Sequence, residues 1–387
     1  MALNAVYYDP AMDSPKLCQD IFAILESQFL FGASKPSFPA VSTVGKVRIL
    51  SIDDGAEDLA MASLLRLESS LRRLSGDASA SLSHFFDLVV GSGSGALLAS
   101  LLFADNLSAE KASLLLSETR IEKSKTRTRF GRLFKKESKV FNKIFGEATL
   151  KDAVKPLLIT CYDLNTGAPF VFSRADAVEA DGFDFKIRDV CEAALCQRKG
   201  SKEVKSMDGE TRIRVLDAGA NTNPTAVGIT HVMHNKQEFP FVNGLEDVFV
   251  FSIGGSGTRL SSAASIAGTC QADAVDQAVA MAFGERRKSN YVRIQGNRIS
   301  AGSTPENILS ETCVESVLFQ GKKLMKETNE ERVEWAAGEL LKEQHRRLQS
   351  KIPPVFVKSA MTPRTSSSSA MTLTTILTGS SESPRYC

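Results

Sequence analysis

Short apolar runs alternate along the chain with longer segments whose apolar residues recur at helical spacing. The runs predict buried β-strands at KVRILSID, DLVV, KPLLITCYDL, APFVFSR, TRIRVLDAG and EDVFVFSIGG. The longer segments predict helices at ASLLRLESSLRRLSGD, GALLAS, IRDVCEAALC, NPTAVGITHVMHN and DAVDQAVAMAFG, and from about Ser316 to Ser350. Because strands alternate with helices, we expect an α/β protein built on a mostly parallel, doubly wound sheet.

Composition divides the chain into three parts. Residues 1–44 hold an amphipathic segment, LCQDIFAILESQFLFG, which predicts a helix, and then a loop rich in Pro and Ser. Residues 45–350 carry the predicted strands and are expected to form one large domain. Residues 351–387 turn to Ser and Thr, and we expect this tail to be disordered.

The overall composition is ordinary for a soluble protein, with 43% hydrophobic residues, 24% charged residues and a net charge of +2. This balance by itself implies no nucleic acid or other acidic partner. The seven cysteines are scattered without C-x-x-C spacing, which predicts reduced, buried thiols. No signal peptide is visible, and the longest apolar stretch, residues 96–104, is too short to span a bilayer. We therefore expect a cytoplasmic protein, or one loosely attached to a membrane face.

The stretch DLVVGSGSGALLAS, residues 87–100, has the outline of a nucleophile elbow. In G-x-S-x-G hydrolases a buried strand, a tight turn and a helix hold a strained serine at the central position. Here the five residues are G-S-G-S-G, and Gly93 stands at the position of the nucleophile. Glycine cannot form an acyl-enzyme but accepts the strained backbone easily. We therefore expect the elbow turn to form without a nucleophile at its centre.

Three ordered motifs resemble those of patatin-like lipid acyl hydrolases. RILSIDDGAEDL resembles a strand followed by D-G-G-G-x-R-G, FFDLVVGSGSGALLA resembles F-D-x-x-x-G-T-S-T-G-G, and VLDAGANTNPTAVGITHV resembles D-G-G followed by N-N-P-T. The resemblance runs from about Leu17 to Leu348. Within this family the chain is similar to the plant patatin-related phospholipase A group, whose elbow reads G-x-G-x-G. It implies a three-layer α/β/α fold with a mostly parallel central sheet.

In that family a Ser–Asp dyad hydrolyses esters without histidine, and backbone N–H groups of a Gly-rich loop hold the oxyanion. By position, the resemblance assigns the nucleophile to Gly93, the dyad aspartate to Asp217 and the oxyanion loop to Gly55 and Ala56. It implies membrane phospholipids or galactolipids as the lipids recognised. No cofactor and no metal are expected.

Departures from the family pattern surround the elbow. Asp54 begins the oxyanion loop, Asp58 stands at the loop's Arg position and Leu59 at the Gly after it. Carboxylates near the oxyanion oppose the negative charge that ester hydrolysis develops there. Ser94, directly after Gly93, is either a displaced nucleophile or an N-terminal residue of the following helix that satisfies a free N–H.

Two functions of different classes are therefore open. One is a lipid acyl hydrolase for phospholipid or galactolipid esters, with activity weak or lost because Gly93 replaces the serine. The alternative is a catalytically inactive pseudoenzyme that keeps the fold and acts as a lipid-binding or interaction protein. Family resemblance favours the first function. Side-chain chemistry favours the second, since losing a nucleophilic serine costs on the order of a millionfold in kcat in a serine protease.

The segment Arg120–Lys136, RIEKSKTRTRFGRLFKK, carries a strong local excess of positive charge. Eight of its residues are Lys or Arg against one Glu, with two Phe and one Leu between them. Basic residues with apolar anchors suit an anionic membrane surface, while the alternative is a solvated loop. We expect peripheral membrane binding through Arg127, Arg129 and Arg132, and no binding of nucleic acid.

Replacing Arg127, Arg129 and Arg132 together with Glu is expected to reduce co-sedimentation with phosphatidylserine liposomes without lowering thermal stability. Binding of the wild type is expected to weaken steeply with salt, because exposed charges are screened within about 10 Å at 0.1 M. If the triple variant pellets as well as the wild type, this segment is not the docking surface.

Overall fold

The computed structural model describes residues 45–104, 106–125, 141–195, 201–216, 223–255, 263–296, 305–317, 321–350 and 352–357. The predicted N-terminal helix lies outside these residues, as does the Ser/Thr-rich tail beyond residue 357. Within the described residues a mixed sheet carries helices on both faces. No described helix is both long enough and apolar enough to cross a membrane.

The main sheet has eight strands in the order β5-β6-β3-β2-β1-β7-β8, and β4 also pairs with β3. Five neighbouring strands, β3, β2, β1, β7 and β8, are parallel to one another. β4 and β6 both run antiparallel to β3. β5 is antiparallel to β6 at the edge. The strands are β1 Val47–Ile52, β2 Leu88–Ser92, β3 Leu157–Asp163, β4 Ala168–Ser173, β5 Lys202–Lys205, β6 Arg212–Leu216, β7 Val248–Ile253 and β8 Tyr291–Ile294.

A separate antiparallel hairpin consists of β9 Thr312–Val317 and β10 Gly321–Thr328. The α-helices are α1 Glu57–Ser75, α2 Leu82–Phe85, α3 Ser94–Phe103, α4 Ala109–Lys125, α5 Arg174–Glu179, α6 Ile187–Ala194, α7 Pro224–His234, α8 Ala263–Ala282, α9 Arg287–Asn290, α10 Pro305–Ser310 and α11 Asn329–Gln349.

The central strands are apolar on both faces because helices cover both sides of the sheet. On β1, Leu50 and Ile52 belong to a core shared with α1, α3, α6 and α11. Val47 and Ile49, which point to the opposite face, belong to a second core shared with α7 and α8. Alternate residues of one strand thus enter two cores, as is typical of parallel sheets. The expected α/β architecture with a mostly parallel central sheet is confirmed.

One of the predicted helices is wrong. The charged segment from Ser316 to Ser350 is not one helix, because Thr312–Val317 pairs with Gly321–Thr328 as the β9–β10 hairpin. α11 begins only at Asn329, where the Thr328 side chain accepts a hydrogen bond from the Glu331 N–H in a capping box.

A buried ionic cluster fastens the amino ends of the strands to α11. Asp87, directly before β2, is 4% exposed and accepts hydrogen bonds from the Arg48 N–H at 2.8 Å and from Arg347 Nη1 at 2.7 Å. Arg48 is 2% exposed and also donates to Gln344 Oε1. Burial alone would raise the pKa of Asp87, but the two guanidinium groups outweigh it and hold that pKa well below its ordinary value.

Asp87→Asn is expected to lower the free energy of unfolding at pH 7 by about 3–5 kcal/mol, because two buried guanidinium groups lose their counter-charge. The pKa of Asp87 is depressed in the folded state, so its ionised form stabilises the fold above the unfolded-state pKa. That contribution is lost as the pH falls toward the folded-state value. Urea unfolding should therefore show the difference between wild type and variant shrinking from about pH 5 to about pH 2.

Glu147→Gln is the matched control for this measurement. Glu147 is an exposed carboxylate paired with Lys186 and Arg188, and such solvent-screened pairs contribute little to stability. If Asp87→Asn is as stable as Glu147→Gln at pH 7, the cluster does not hold the sheet to α11.

Candidate functional site

Gly93 forms the turn between β2 and α3. β2 ends at Ser92 and α3 begins at Ser94, and Gly93 between them has φ 50° and ψ −121°. Side chains disfavour positive φ, so this backbone suits glycine. Of the three glycines in G-S-G-S-G, only Gly93 has positive φ.

Gly91 and Gly95 serve close packing rather than an unusual backbone conformation. A Cβ on Gly91 would lie 2.5 Å from the carbonyl oxygen of Gly95. A Cβ on Gly95 would collide with the carbonyl oxygen of Ile52, the last residue of β1. The N-terminus of α3 therefore lies directly against the carboxyl ends of β1 and β2, and a side chain at either glycine would displace it.

Asp54, in the loop between β1 and α1, lies against this turn. Its Oδ1 accepts a hydrogen bond from the Ser94 N–H at 2.8 Å. A Cβ placed on Gly93 would lie 2.8 Å from the Asp54 Cβ and would collide with the carboxylate. The Asp54 side chain therefore occupies the space into which a side chain at position 93 would project.

Two further hydrogen bonds join the same two loops. The Asp54 N–H donates to Ser92 Oγ at 3.0 Å, and the Gly55 N–H donates to Ser94 Oγ at 3.0 Å. We call these three hydrogen bonds between residues 54–55 and 92–94 the elbow clamp. In hydrolase elbows the N–H after the nucleophile forms part of the oxyanion hole. In this chain that N–H, on Ser94, is bound to a carboxylate.

The residues assigned to the oxyanion loop by resemblance lie at the start of α1. Gly55 has φ 68°, and its N–H takes part in the elbow clamp. Ala56 is fully buried, and its carbonyl accepts a hydrogen bond from Ala60 as the helix begins. Glu57 and Asp58 occupy the first turn of α1, where carboxylates interact favourably with the helix dipole.

Ser94 is the first residue of α3 and is 3% exposed. Its hydroxyl accepts the hydrogen bond from the Gly55 N–H and so lies inside the elbow clamp. A nucleophile must reach a substrate carbonyl, and little of this residue is accessible to one. The hydroxyl satisfies a backbone N–H, but that N–H belongs to the loop after β1 rather than to α3.

A second buried ionic cluster, which the sequence analysis missed, lies beside the loop that carries Asp54. Arg293 on β8 donates to Asp53 Oδ2 at 2.7 Å and to Ser252 Oγ at 2.7 Å, and its Nε lies 3.3 Å from Asp276 Oδ1. The Tyr291 hydroxyl donates to the same Asp276 oxygen. Burial raises the pKa of Asp53, and Arg293 opposes that shift. The arginine within the apolar run YVRI was the available signal, because buried charges are almost always paired.

A cavity of about 710 Å³ opens beside this cluster, between β8, α9, the β9–β10 hairpin and α11. Its apolar and aromatic lining comes from Tyr291, Val314, Met325 and Trp335. Its charged lining is evenly mixed, with Arg287, Lys288, Arg293 and Arg332 against Asp276, Glu315, Glu327 and Glu331. Trp335 is the single tryptophan of the chain and is 41% exposed. Charged and apolar side chains thus line the cavity together.

Several residues named from the sequence lie outside the described part of the chain: Asp217, Arg127, Arg129 and Arg132. β6 ends at Leu216, one residue before Asp217, and is antiparallel to β3 with Leu216 opposite Tyr162. The proximity of Asp217 to Gly93 therefore stays a prediction, as does the membrane-binding role of the three arginines. In the described ranges no three His, Cys, Asp or Glu residues are grouped so that they could hold a metal ion.

Comparison with known proteins finds several plant relatives that align along most of the chain, although no protein-family model matches it. Patatin-like protein 3 of Oryza sativa subsp. japonica is 43% identical, over 88% of this chain and 93% of its own length. Patatin-like protein 7 of Arabidopsis thaliana is 41% identical, over 89% of this chain and 84% of its own length. The Arabidopsis thaliana protein named "Probable inactive patatin-like protein 9" is 37% identical, over 84% of this chain and 91% of its own length.

Gly93→Ala is expected to lower the free energy of unfolding by about 2–4 kcal/mol, because the methyl group meets Asp54 at a strained φ. Gly146→Ala is the matched control. Gly146 also has positive φ, 54°, but no atom lies within 4 Å of its Cβ position. It should therefore show the backbone cost alone, about 1–2 kcal/mol.

The collision with Asp54 can be isolated with a double-mutant cycle measured by urea unfolding. Asp54→Gly removes the obstructing side chain, so the double variant with Gly93→Ala should cost less than the sum of the single variants by about 1 kcal/mol or more. Strictly additive costs would contradict the position of Asp54 in front of Gly93.

Proposed function

This chain belongs to the patatin-like family, and we propose that it is a pseudoenzyme of that family, which has lost Ser-dependent ester hydrolysis and binds membrane phospholipids or galactolipids. The observation that carries the proposal is the position of Asp54. Its carboxylate fills the space in front of Gly93 and binds the Ser94 N–H. One residue thus excludes a nucleophile and occupies an oxyanion donor.

The absence of a nucleophile removes the covalent step. Gly93 has no atom that could attack an ester carbonyl. In a serine protease the loss of the nucleophile costs on the order of a millionfold in kcat, or about 8 kcal/mol of barrier. Substitution at this position alone would not restore the step, because Asp54 leaves no room for the new side chain.

Electrostatics at the elbow oppose hydrolysis as well. An oxyanion hole works because N–H donors face the position where negative charge develops. Here the Asp54 carboxylate already accepts from one such donor, and Ser94 Oγ accepts from the Gly55 N–H. A second negative charge about 4 Å away would be repelled by about 4 kcal/mol at an effective dielectric constant of about 20.

The cavity of about 710 Å³ supports the lipid-binding part of the proposal. Trp335 and Met325 offer apolar contacts for an acyl chain, and Lys288 offers a cation for an anionic or zwitterionic head group. The cavity shares Arg293 and Asp276 with the cluster that holds Asp53, so it lies close to the lost catalytic site. The basic segment around Arg129 supports approach to an anionic bilayer.

The loss of catalysis is tested with a fluorophosphonate probe and p-nitrophenyl butyrate. Wild type and Ser94→Ala should both remain unlabelled and without Ser-dependent turnover. Gly93→Ser should also remain unlabelled, whereas Asp54→Gly combined with Gly93→Ser should gain labelling, because the new hydroxyl then has room and Ser94 N–H is released. Labelling of wild type at Ser94 that Ser94→Ala abolishes would establish a displaced nucleophile instead. A double variant that stays unlabelled would show that Asp54 is not the obstruction.

Lipid binding in the cavity is tested through the fluorescence of Trp335, which is the single tryptophan of the chain. Titration with monomeric lysophosphatidylcholine should shift its emission to the blue, because an acyl chain displaces water from the indole. Met325→Glu, inside the cavity, should remove the response. Leu324→Glu should keep it, since Leu324 is 58% exposed and does not line the cavity. If neither variant alters the response, the lipid binds elsewhere.

A further inference from the structure

A second cavity, of about 310 Å³, lies at the amino ends of the parallel strands, opposite the elbow. Asp87 before β2, Lys155 before β3 and Arg347 near the end of α11 line one side. Residues 353–357 of the chain that follows α11 line the other side with two prolines and two valines.

Most of the charge in this cavity is already paired. Asp87 accepts hydrogen bonds from Arg48 and from both terminal nitrogens of Arg347, at 2.7 and 2.6 Å. Arg347 Nε lies 3.3 Å from Glu343 Oε1, which also accepts from the Lys46 N–H at 2.7 Å. Both carboxylate oxygens of Asp87 thus accept hydrogen bonds from the two arginines, and Arg347 is also paired with Glu343.

Lys155 is the cation in this cavity that no described carboxylate contacts. Within the described residues its ammonium group makes no hydrogen bond or ion pair. Burial lowers the pKa of Lys155, Asp87 raises it, and Arg48 and Arg347 lower it further. A partly desolvated cation that no carboxylate contacts is unfavourable, so an anion entering the cavity would be stabilised there.

The chain after α11 forms a fixed apolar wall opposite Lys155. The Phe356 N–H donates to the Glu238 carbonyl at 2.8 Å, and the rings of Phe356 and Phe241 lie 6.2 Å apart. These contacts hold Pro353, Pro354 and neighbouring valines in place before any ligand binds. A preorganised wall reduces the entropy lost on binding.

We propose that this cavity binds the phosphoryl group of a phosphate monoester, with Lys155 as its counter-charge. Lysine binds phosphate as a point charge, and a dianion suits a site whose surplus charge is positive. The volume equals that of about ten liquid waters, which leaves room for a short carbon portion against the prolines and valines. The ester is either a soluble metabolite or the head group of phosphatidic acid.

The test uses the full chain and glycerol 3-phosphate as the probe. Calorimetry should show binding to the wild type and binding about ten- to a hundredfold weaker to Lys155→Met, because a charge-assisted contact is lost. Lys323→Met is the matched control, since Lys323 is exposed on β10 and does not line the cavity. It should bind as the wild type does. Equal binding by Lys155→Met, or none by the wild type, would overturn the proposal.

A second measurement needs no variant. Glycerol 3-phosphate should protect Lys155 from an amine-reactive reagent, read by mass spectrometry of its peptide, while Lys323 stays reactive. Vesicles of phosphatidylcholine with phosphatidic acid form the other arm. Protection by vesicles identifies a membrane head group, and protection by the soluble ester alone identifies a metabolite. If neither protects Lys155, the proposal is wrong, whatever the elbow and the Trp335 cavity do in their own tests.

Discussion

The close approach of α3 to the carboxyl end of β1 is the constraint on which the candidate site depends. Gly91 and Gly95 allow this approach because a Cβ on either would meet backbone atoms. Once the helix lies there, its first N–H groups face the loop after β1, and Asp54 supplies an acceptor for one of them. The packing that presents a nucleophile in a hydrolase therefore presents, in this chain, a closed set of hydrogen bonds between two loops.

Two local features of this turn favour the folded state. Gly93 adopts its positive φ without a side-chain penalty, and the carboxylate of Asp54 lies at the N-terminus of a helix, where negative charge is stabilised. Active sites commonly carry strain and unsatisfied donors that catalysis requires. At this turn the Gly55 and Ser94 N–H groups are already bound by side-chain oxygens, so these two donors are not free for an oxyanion.

Two ionic clusters bracket the parallel sheet. Asp53 and Arg293 meet at the carboxyl ends of the strands, beside the elbow, and Asp87 and Arg347 meet at the amino ends. Each cluster joins a loop at one end of the central strands to a distant part of the chain. Each therefore fixes one end of the parallel strands. Within the described part of the chain, Lys155 lies at the amino ends without a contacting carboxylate, because both oxygens of Asp87 accept from Arg48 and Arg347.

The sequence by itself determined the α/β layers and the glycine at the turn between β2 and α3, because apolar periodicity and residue identity are local properties. It misassigned residues 316–317 and 321–328 to a helix, since pairing in the β9–β10 hairpin outweighs the propensity of a charged segment. Only the tertiary structure placed Asp54 in front of Gly93 and Arg293 beside Asp53. The partners in these contacts, Asp54 with Ser94 and Asp53 with Arg293, are 40 and 240 residues apart in the chain. They meet because parallel strands bring their carboxyl ends to one edge, which no local pattern specifies.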